Sequence, residues 1–415
     1  MKIAILGGGV EGQSVQNYFS IKGDDCQIFD NFEPDQLDSK ALDTFDLVFR
    51  SPSVRPPLEI PTNWTSITRY FFQHCPCPII GVTGTKGKGT TCSMLSAILN
   101  SLGHKNYLVG NIGTPALDIL DQLTPTDTVI YELSSFQLWD LEQSPHIAVV
   151  LRIEPDHLNV HRDFADYVDA KSHITAYQKA DDVCIYYRDN PDSVQIAKKS
   201  QGQIKPYPLI IPQDSEKVNI LTSQLTIPGA HNRENAEAAL LAASSYHGQS
   251  LDDFITQHNL ELTKALANFQ GLPHRLEFIR ELNGVKYYDD NFSSAFPALD
   301  VALQTFADQP TVLIAGGKDR HLDLSQTIER LNTAPNLIKV ILIGETSQQL
   351  AAGLDPQKYQ LARTLSEAVA AARTAAEAAT GDSIVVMSPG AASFDMFKDF
   401  KDRGEQFQKI INGLQ

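Results

Sequence analysis

The chain has 415 residues, 42% of them hydrophobic and 20% charged, with a formal net charge of −16. That length provides for two to four domains with their own cores, and the acidic balance argues against a nucleic-acid binder, whose footprint is a basic face. Five scattered cysteines are too few for a disulfide framework, no apolar run reaches membrane-spanning length, and Glu11 follows three glycines too soon for a signal peptide, so a cytoplasmic protein without membrane insertion is expected.

Lys2–Leu6 reads as a strand, and Gly7-Gly8-Gly9-Val10-Glu11-Gly12 after it fits G-x-G-x-x-G. A helix through Ile21 and a strand over Cys26–Phe29 that ends on Asp30 complete a dinucleotide fingerprint. Taken alone it suggests NAD and an oxidoreductase. The next strand, Phe45–Phe49, runs into Ser51-Pro52-Ser53, and a phosphate loop follows too soon to leave room for a full doubly wound fold. One mononucleotide-binding half fits, with a small nucleotide or nucleotide-sugar site. Glycines that serve only turns and packing are the alternative.

The phosphate loop is Gly81-Val82-Thr83-Gly84-Thr85-Lys86-Gly87-Lys88-Gly89-Thr90-Thr91. Pro78-Ile79-Ile80 reads as a buried strand before it. Met94, Leu95, Ile98, Leu99 and Leu102 recur at helical spacing after it, with Gly103 as the stop. Glycines let backbone N–H groups approach phosphates, the helix N-terminus attracts anions, and Lys88 supplies a point charge. The common pattern is not matched fully: Val82 stands where its first glycine belongs, and Gly89 where Ser or Thr follows the lysine.

Val129-Ile130-Tyr131 is an apolar strand delivering Glu132, a carboxylate placed to hold magnesium beside the loop. Ile147–Leu151 is another, running into Glu154-Pro155-Asp156-His157 and on to His161. Two histidines four apart pair on zinc only on a helix, and Pro155 puts them in a turn. Lys171 falls on a helix, where a lysine is ordinarily solvated. Residues 180 to 227 read as strands and loops. Pro228–Asn235 opens an alanine-rich helix whose asparagines cap it by default or bind a base edge.

Gly271–Arg275 reads as a turn and linker. Val285–Tyr288 is a strand delivering Asp289 and Asp290, and Thr311–Ala315, Ile338–Ile343 and Ser383–Met387 follow with helices between them. Each leads into Gly, Ser or Asp, the ligand edge expected of such a sheet. The fold class is α/β in three domains. Residues 1–76 form a Rossmann-like domain for a UDP substrate, 77–271 a central P-loop-type mononucleotide-binding ATPase domain, and 272–415 a Rossmann-like amino-acid-binding domain.

Gly84-Thr85-Lys86-Gly87-Lys88, Glu132-Leu133-Ser134-Ser135, Asp156-His157, His231-Asn232 and His274-Arg275, in this order along nearly the whole chain, resemble the Mur ligase family, ATP-dependent enzymes that join an amino acid to a carboxylate. The compact first domain and Ser388–Asp395, with Phe397–Phe400 and Arg403-Gly404, are most similar to the members that add D-glutamate.

The resemblance implies a role for each matching residue. Gly84 to Thr90 with Lys88 would hold ATP phosphates, and Asn232, Asn235, Arg275 and Asp290 would hold the rest of the nucleotide. Thr90 and Glu132 would serve one magnesium ion, and His157 and a carbamylated Lys171 a second, which makes Lys88, His157 and Lys171 the catalytic set. Gly9, Val10, Asp30, Ser51 and Thr68 would lie near UDP, Asn111, Ser134 and Ser294 would be among the substrate-binding residues, and Arg320, Ser393, Phe394 and Phe400 would take D-glutamate. The implied substrates are ATP, UDP-N-acetylmuramoyl-L-alanine and D-glutamate, for a cytoplasmic monomer. Lys88-Gly89-Thr90 departs toward folylpolyglutamate synthases, Phe292 replaces a lysine, and Asn159 replaces an aspartate. A related ligase with another amino acid and a non-catalytic nucleotide-binding subunit stay open beside the NAD reading.

Overall fold

The computed structural model describes residues 1–30, 42–209, 212–294, 296–379 and 381–415. Three sheets carry the chain, and it divides into two compact units: Met1–Gln224 with Arg233–Asn268, and Leu225–Asn232 with Phe269–Gln415.

In the first unit, β1 (Lys2–Leu6), α1 (Val10–Ile21), β2 (Asp25–Phe29), β3 (Leu47–Arg50), β4 (Trp64–Ser66) and α2 (Ile67–His74) build a parallel four-stranded sheet of order β2-β1-β3-β4. One such half is what the spacing predicts. Ser66 ends β4 and caps α2, accepting from Arg69 N at 3.2 Å.

The second sheet uses β5 (Ile79–Thr83), α3 (Lys88–Ser101), β6 (Asn106–Gly110), α4 (Leu117–Leu120), β7 (Thr128–Glu132), α5 (Ser135–Leu138), β8 (Ile147–Val150), α6 (Phe164–Ala176), β9 (Val183–Tyr187), α7 (Pro191–Ala197) and β10 (Gln203–Tyr207). Its order is β10-β9-β8-β5-β7-β6, all parallel. β5, β7 and β8 are buried along their whole length, which is why they read as unbroken apolar runs. The stretch 180–227 is not only strands and loops. It also carries α7 and α8 (Pro212–Thr222). Asn190 caps α7, accepting from Ser193 N at 2.9 Å with Pro191 at the first helical position, and that pairing is a start signal in its own right.

The first two sheets share one core, in which Ile3, Val15, Phe49 and Phe71 pack with Ile79, Val129, Tyr131 and Leu138. Their seam is also polar. Arg50 and Asp140, both 1% exposed, form an ion pair that includes Nε to Oδ2 at 2.9 Å, and Ser66 Oγ donates to the same carboxylate at 3.1 Å. Long helices α9 (Ala230–Tyr246) and α10 (Leu251–Ala267) follow.

In the second unit, β11 (Glu277–Leu282), β12 (Val285–Asp289), α11 (Pro297–Thr305), β13 (Thr311–Ala315), α12 (Ser325–Thr333), β14 (Leu337–Leu342), α13 (Ser347–Gly353), β15 (Tyr359–Leu361), α14 (Leu365–Glu377), β16 (Ser383–Met387) and α15 (Phe400–Asn412) form a sheet of order β11-β12-β16-β13-β14-β15. Only β11 is antiparallel. Helices cover both faces, each with its own apolar cluster. Among the described residues no helix is long and apolar enough to cross a membrane.

Candidate active site

β5 leads into Gly84, and the turn ends where Lys88 begins α3. Gly84 (φ 154°) and Gly87 (φ 86°) have no room for a side chain: a Cβ would lie 2.6 Å from Leu151 Cβ and 2.5 Å from Asn235 Oδ1 respectively. Among the described residues no side chain caps α3, and the N-terminus of a helix attracts an anion. Lys88 Nζ donates to the carbonyls of Gly84 and Thr85, both at 3.0 Å, so its charge sits over the loop. Thr85 Oγ1 donates to Glu154 O at 3.0 Å and accepts from Glu154 N at 2.8 Å, tying the loop to the segment after β8. Lys86 is exposed, Thr90 half-buried and Gly89 buried. Thr91, absent from the sequence-based set, is fully buried and donates to Asn235 Oδ1 at 3.3 Å. Asn235 is therefore a partner of the loop helix, not the cap of its own helix, which begins at Ala230.

Glu132 ends β7 with 6% exposure and accepts from Asn111 Nδ2 at 3.3 Å. The register places Gly110 opposite Glu132, so Asn111 and Glu132 meet at the carboxyl edge of neighbouring strands. Ser134 closes a capping box on α5 with Gln137. His157 is a non-glycine residue at φ 54° with its side chain 49% exposed, 3.6 Å from Asp156 and edge-on to Phe136 at 4.9 Å. A left-handed histidine in a loop is a strained placement. His161 is no second ligand. It is buried, its Nε2 is 2.9 Å from Ser135 Oγ and its Nδ1 3.0 Å from Asp166.

Lys171 departs most from its sequence reading. On α6 it is 1% exposed, its Nζ donating to Gly84 O at 2.9 Å and Thr83 Oγ1 at 3.3 Å. Burial, and then the Lys88 charge, push its pKa well below the usual lysine range. The donor set fits a nucleotide and magnesium. The glycine cradle and uncapped helix suit phosphates, and Thr90 and Glu132 offer the oxygen ligands a hard cation takes. Lys171 as an amine does not suit a cation.

On the first sheet, Gly8 N donates to Asp30 Oδ1 at 3.3 Å, and a Cβ on Gly7 (φ 100°) would lie 2.2 Å from Ser51 Oγ. The glycine loop, Asp30 and Ser51 thus share one edge. Gly9 and Val10 are exposed, while Thr68 is buried on α2 with its hydroxyl 3.4 Å from Tyr131 Oη. Glu11 turns inward and accepts from Gln137 Nε2 at 2.8 Å; burial pushes its carboxyl up to about 7.

The second unit holds the remaining predicted residues. Asn232 Nδ2 donates to Pro228 O at 2.6 Å. The Arg275 guanidinium lies 3.8 Å from the centre of the Phe292 ring, which meets Phe400 edge-on at 5.2 Å. Asp290 accepts from Ser388 Oγ at 2.6 Å and Leu276 N at 3.3 Å, and burial raises its carboxyl to about 7. Ser294, Arg320, Lys318 and Thr346 line a small cavity closed by Gly390 and Ala391. Ser393 is buried, and Phe394 is 68% exposed.

Two features of this unit have no clear trace in the sequence. Arg403 is fully buried, with no carboxylate in hydrogen-bond contact among the described residues. Its Nε donates to Asn291 Oδ1 at 2.7 Å and its Nη2 to the carbonyls of Asn291 and Ala391 at 3.2 Å. It joins the loop after β12 to the loop after β16. His274, Glu277 and Asp289 gather as a metal site would. Their contacts are internal, however: His274 Nδ1 lies 2.7 Å from Asp289, and Gln408 Nε2 donates to both acids at 3.0 Å.

A nucleotide cradle on a parallel sheet, with a buried carboxylate and lysine against it and a further α/β unit beyond, is the layout of an ATP-dependent ligase. The family profile of the Mur ligase middle domain matches residues 82–243, and that of the Mur ligase glutamate ligase domain matches 274–390. The UDP-N-acetylmuramoylalanine–D-glutamate ligase of Clostridium kluyveri is 31% identical over 100% of this chain and 97% of its own. That of Acetivibrio thermocellus is 32% identical with the same coverage. The chain belongs to the Mur ligase family, ATP- and magnesium-dependent enzymes of peptidoglycan synthesis that form an amide bond. Two solved structures share its three-domain fold. UDP-N-acetylmuramate–alanine ligase MurC of Thermotoga maritima has a TM-score of 0.60 at 16% identity, covering 99% of both chains. MurF of Acinetobacter baumannii has 0.61 at 19%, covering 92% of this chain and 89% of its own. The NAD-linked reading of the first glycine loop is thereby set aside.

Proposed function

We propose that the protein joins D-glutamate to UDP-N-acetylmuramoyl-L-alanine in the cytoplasm, as a monomer. The observation that carries this specificity is likeness along the whole chain, at 31% and 32% identity, to relatives named for that addition. The boundaries at residues 76 and 271 belong to the same reading.

ATP lies with its phosphates on Gly84–Thr90 and Lys88 at the β/γ end. Asn232, Asn235, Arg275 and Asp290 take the rest of the nucleotide. The acceptor carboxylate attacks the γ-phosphorus, a C–O–P link forms and ADP leaves. The amine of D-glutamate then attacks the acyl carbon, phosphate departs, and the amine proton passes to solvent. Lys88 stabilises charge on the transferring group. Magnesium at Thr90 and Glu132, and at His157 and Lys171, would supply further neutralisation. Lys171 serves there as a carbamate. Its burial supports this, because carbon dioxide adds to an unprotonated amine: the N–C bond forms, one C=O π bond opens, the nitrogen loses a proton to solvent, and a neutral amine becomes an anionic oxygen ligand. Gly9, Val10, Asp30, Ser51 and Thr68 take the UDP end of the acceptor, and Asn111 and Ser134 its muramoyl end. Ser294, Arg320, Ser393, Phe394 and Phe400 take D-glutamate, with Arg320 suited to bidentate recognition of a carboxylate.

The test is phosphate release from ATP with UDP-N-acetylmuramoyl-L-alanine and D-glutamate, L-glutamate, another amino acid or none. Release that requires D-glutamate and is abolished in Lys88→Ala is expected. Release with a different amino acid would keep the ligase class and move the specificity within the family. No release with ATP bound would overturn the catalytic reading.

A further inference from the structure

Cys75-Pro76-Cys77-Pro78 is the connection between α2 and β5, and so between the first two sheets. Cys75 Sγ lies 3.6 Å from Cys77 Sγ and 3.4 Å from the Cys77 carbonyl oxygen. Prolines on both sides of Cys77 fix two backbone angles in this short stretch, so the thiols meet without a conformational search. Cys75 is half-buried and reachable, whereas Cys77 is 8% exposed behind it.

The other cysteines lack this arrangement. Cys92 and Cys184 are fully buried, and Cys26 has its sulfur 4.0 Å from a backbone oxygen, that of Asp24. Burial raises the pKa of all three. In the pair, the bond from Cys77 holds the Cys75 thiol below its ordinary range, while Cys77 is pushed up by that contact and by burial. One thiol is poised to attack and its neighbour to resolve. Neither takes part in the ligase chemistry above.

We propose that Cys75 and Cys77 are an oxidisable dithiol, which a hydroperoxide closes to an intramolecular disulfide. The Cys75 thiolate attacks the peroxide oxygen, the O–O bond breaks, and the leaving hydroxide takes a proton to depart as water, giving a sulfenic acid. Cys77 sulfur then attacks Cys75 sulfur, the S–O bond breaks, and the hydroxyl leaves with the Cys77 proton as a second water. Two thiols are oxidised by two electrons and the peroxide is reduced by two. The sulfurs, 3.6 Å apart, close to about 2.0 Å. A ring this small is strained, so the disulfide is readily reopened by an external thiol.

The test treats the full-length protein with one equivalent of hydrogen peroxide and reads intact mass, free thiols and the peptide containing residues 75–77. Loss of two hydrogens and of two of the five thiols, mapped to this peptide and reversed by dithiothreitol, is expected. In Cys77→Ser the same treatment should leave a dimedone-reactive sulfenic acid at Cys75 and no two-hydrogen loss. In Cys75→Ser neither product should form. Unchanged mass and thiol count in the wild type would overturn the proposal. So would a dimedone adduct that persists at Cys75 with Cys77 present, or oxidation falling first on Cys26. A thermal melt of each variant separates altered reactivity from altered folding.

Discussion

Replacing Lys171 by Met separates what this side chain does for stability from what it does for chemistry. Met fills a similar volume without an ionisable group. The wild-type amine, 1% exposed and held well below the ordinary lysine value of 10.5 by burial and then by the Lys88 charge, gives up its proton more readily folded than unfolded. Keeping this ionisable amine out of water costs free energy that an apolar side chain of similar volume avoids. Its hydrogen bonds to Gly84 and Thr83 return about 1 kcal/mol each. Lys171→Met is therefore expected to be more stable at pH 7, by about 1–4 kcal/mol, the usual range for replacing buried ionisable groups with apolar ones of similar volume. The sign with pH follows from linkage. The unfolded state binds the extra proton, so the wild type gains stability as pH rises toward 10.5 and the variant does not. Between pH 7 and 9 the gap should narrow. Urea titrations of both proteins in carbon-dioxide-free buffer at the two pH values measure it. A gap that stays constant would mean a charged Lys171 in the folded protein and would refute the reasoning. Phosphate release should meanwhile fall by about 100- to 1000-fold, the usual loss of one charge-stabilising group.

Arg50→Met leaves Asp140 buried without its charge partner and should cost about 3–5 kcal/mol, read as a lower urea midpoint. Phe292→Ala removes the ring under Arg275, a contact of about 0.5–1 kcal/mol; KM for ATP should rise about two- to five-fold, with Phe292→Tyr unchanged. Asp290 has its folded pKa raised from 3.8 to about 7, so its contribution is fully present below pH 3.8 and lost as pH rises through 7. Asp290→Asn should then gain on the wild type in urea midpoint across that window, and equal slopes for the two proteins would contradict it.

Where the sequence is informative, the reason is local. β5, β7 and β8 announce themselves because a parallel strand covered on both faces must be apolar throughout. The phosphate loop is legible because cradle, lysine and helix are consecutive residues. β11 is not legible, since its half-exposed residues carry no clean alternation and its pairing with β12 shifts register at Phe278 and Arg280. α7, with seven residues, is too short for helical periodicity to speak, although Asn190-Pro191 marks where it starts.

The side chains whose setting the sequence hides share a different cause. Lys171 looks like any solvated helix lysine until Thr83, 88 residues earlier, and Gly84 close over it. Arg403 is an ordinary helix arginine until Asn291, 112 residues away, accepts its Nε. In both cases the informative event is removal from water, which is decided by which segments the sheet order brings together and not by neighbours in the chain. That order also explains why the two groups differ. For Lys171 burial and the Lys88 charge act together to weaken its hold on its proton, against smaller opposing effects of Asp156 and Glu132. Burial also works against the Arg403 proton and moves its pKa only to about 10, with Asp395 and Asp289 acting the other way. Arg403 therefore stays a cation at neutral pH and holds two loops in place, while the Lys171 amine, beside a phosphate loop, is biased toward losing its proton. Both side chains have hydrogen-bond acceptors, and what separates them is the strongest neighbouring charge, a cation (Lys88) for Lys171 and a carboxylate (Asp395) for Arg403.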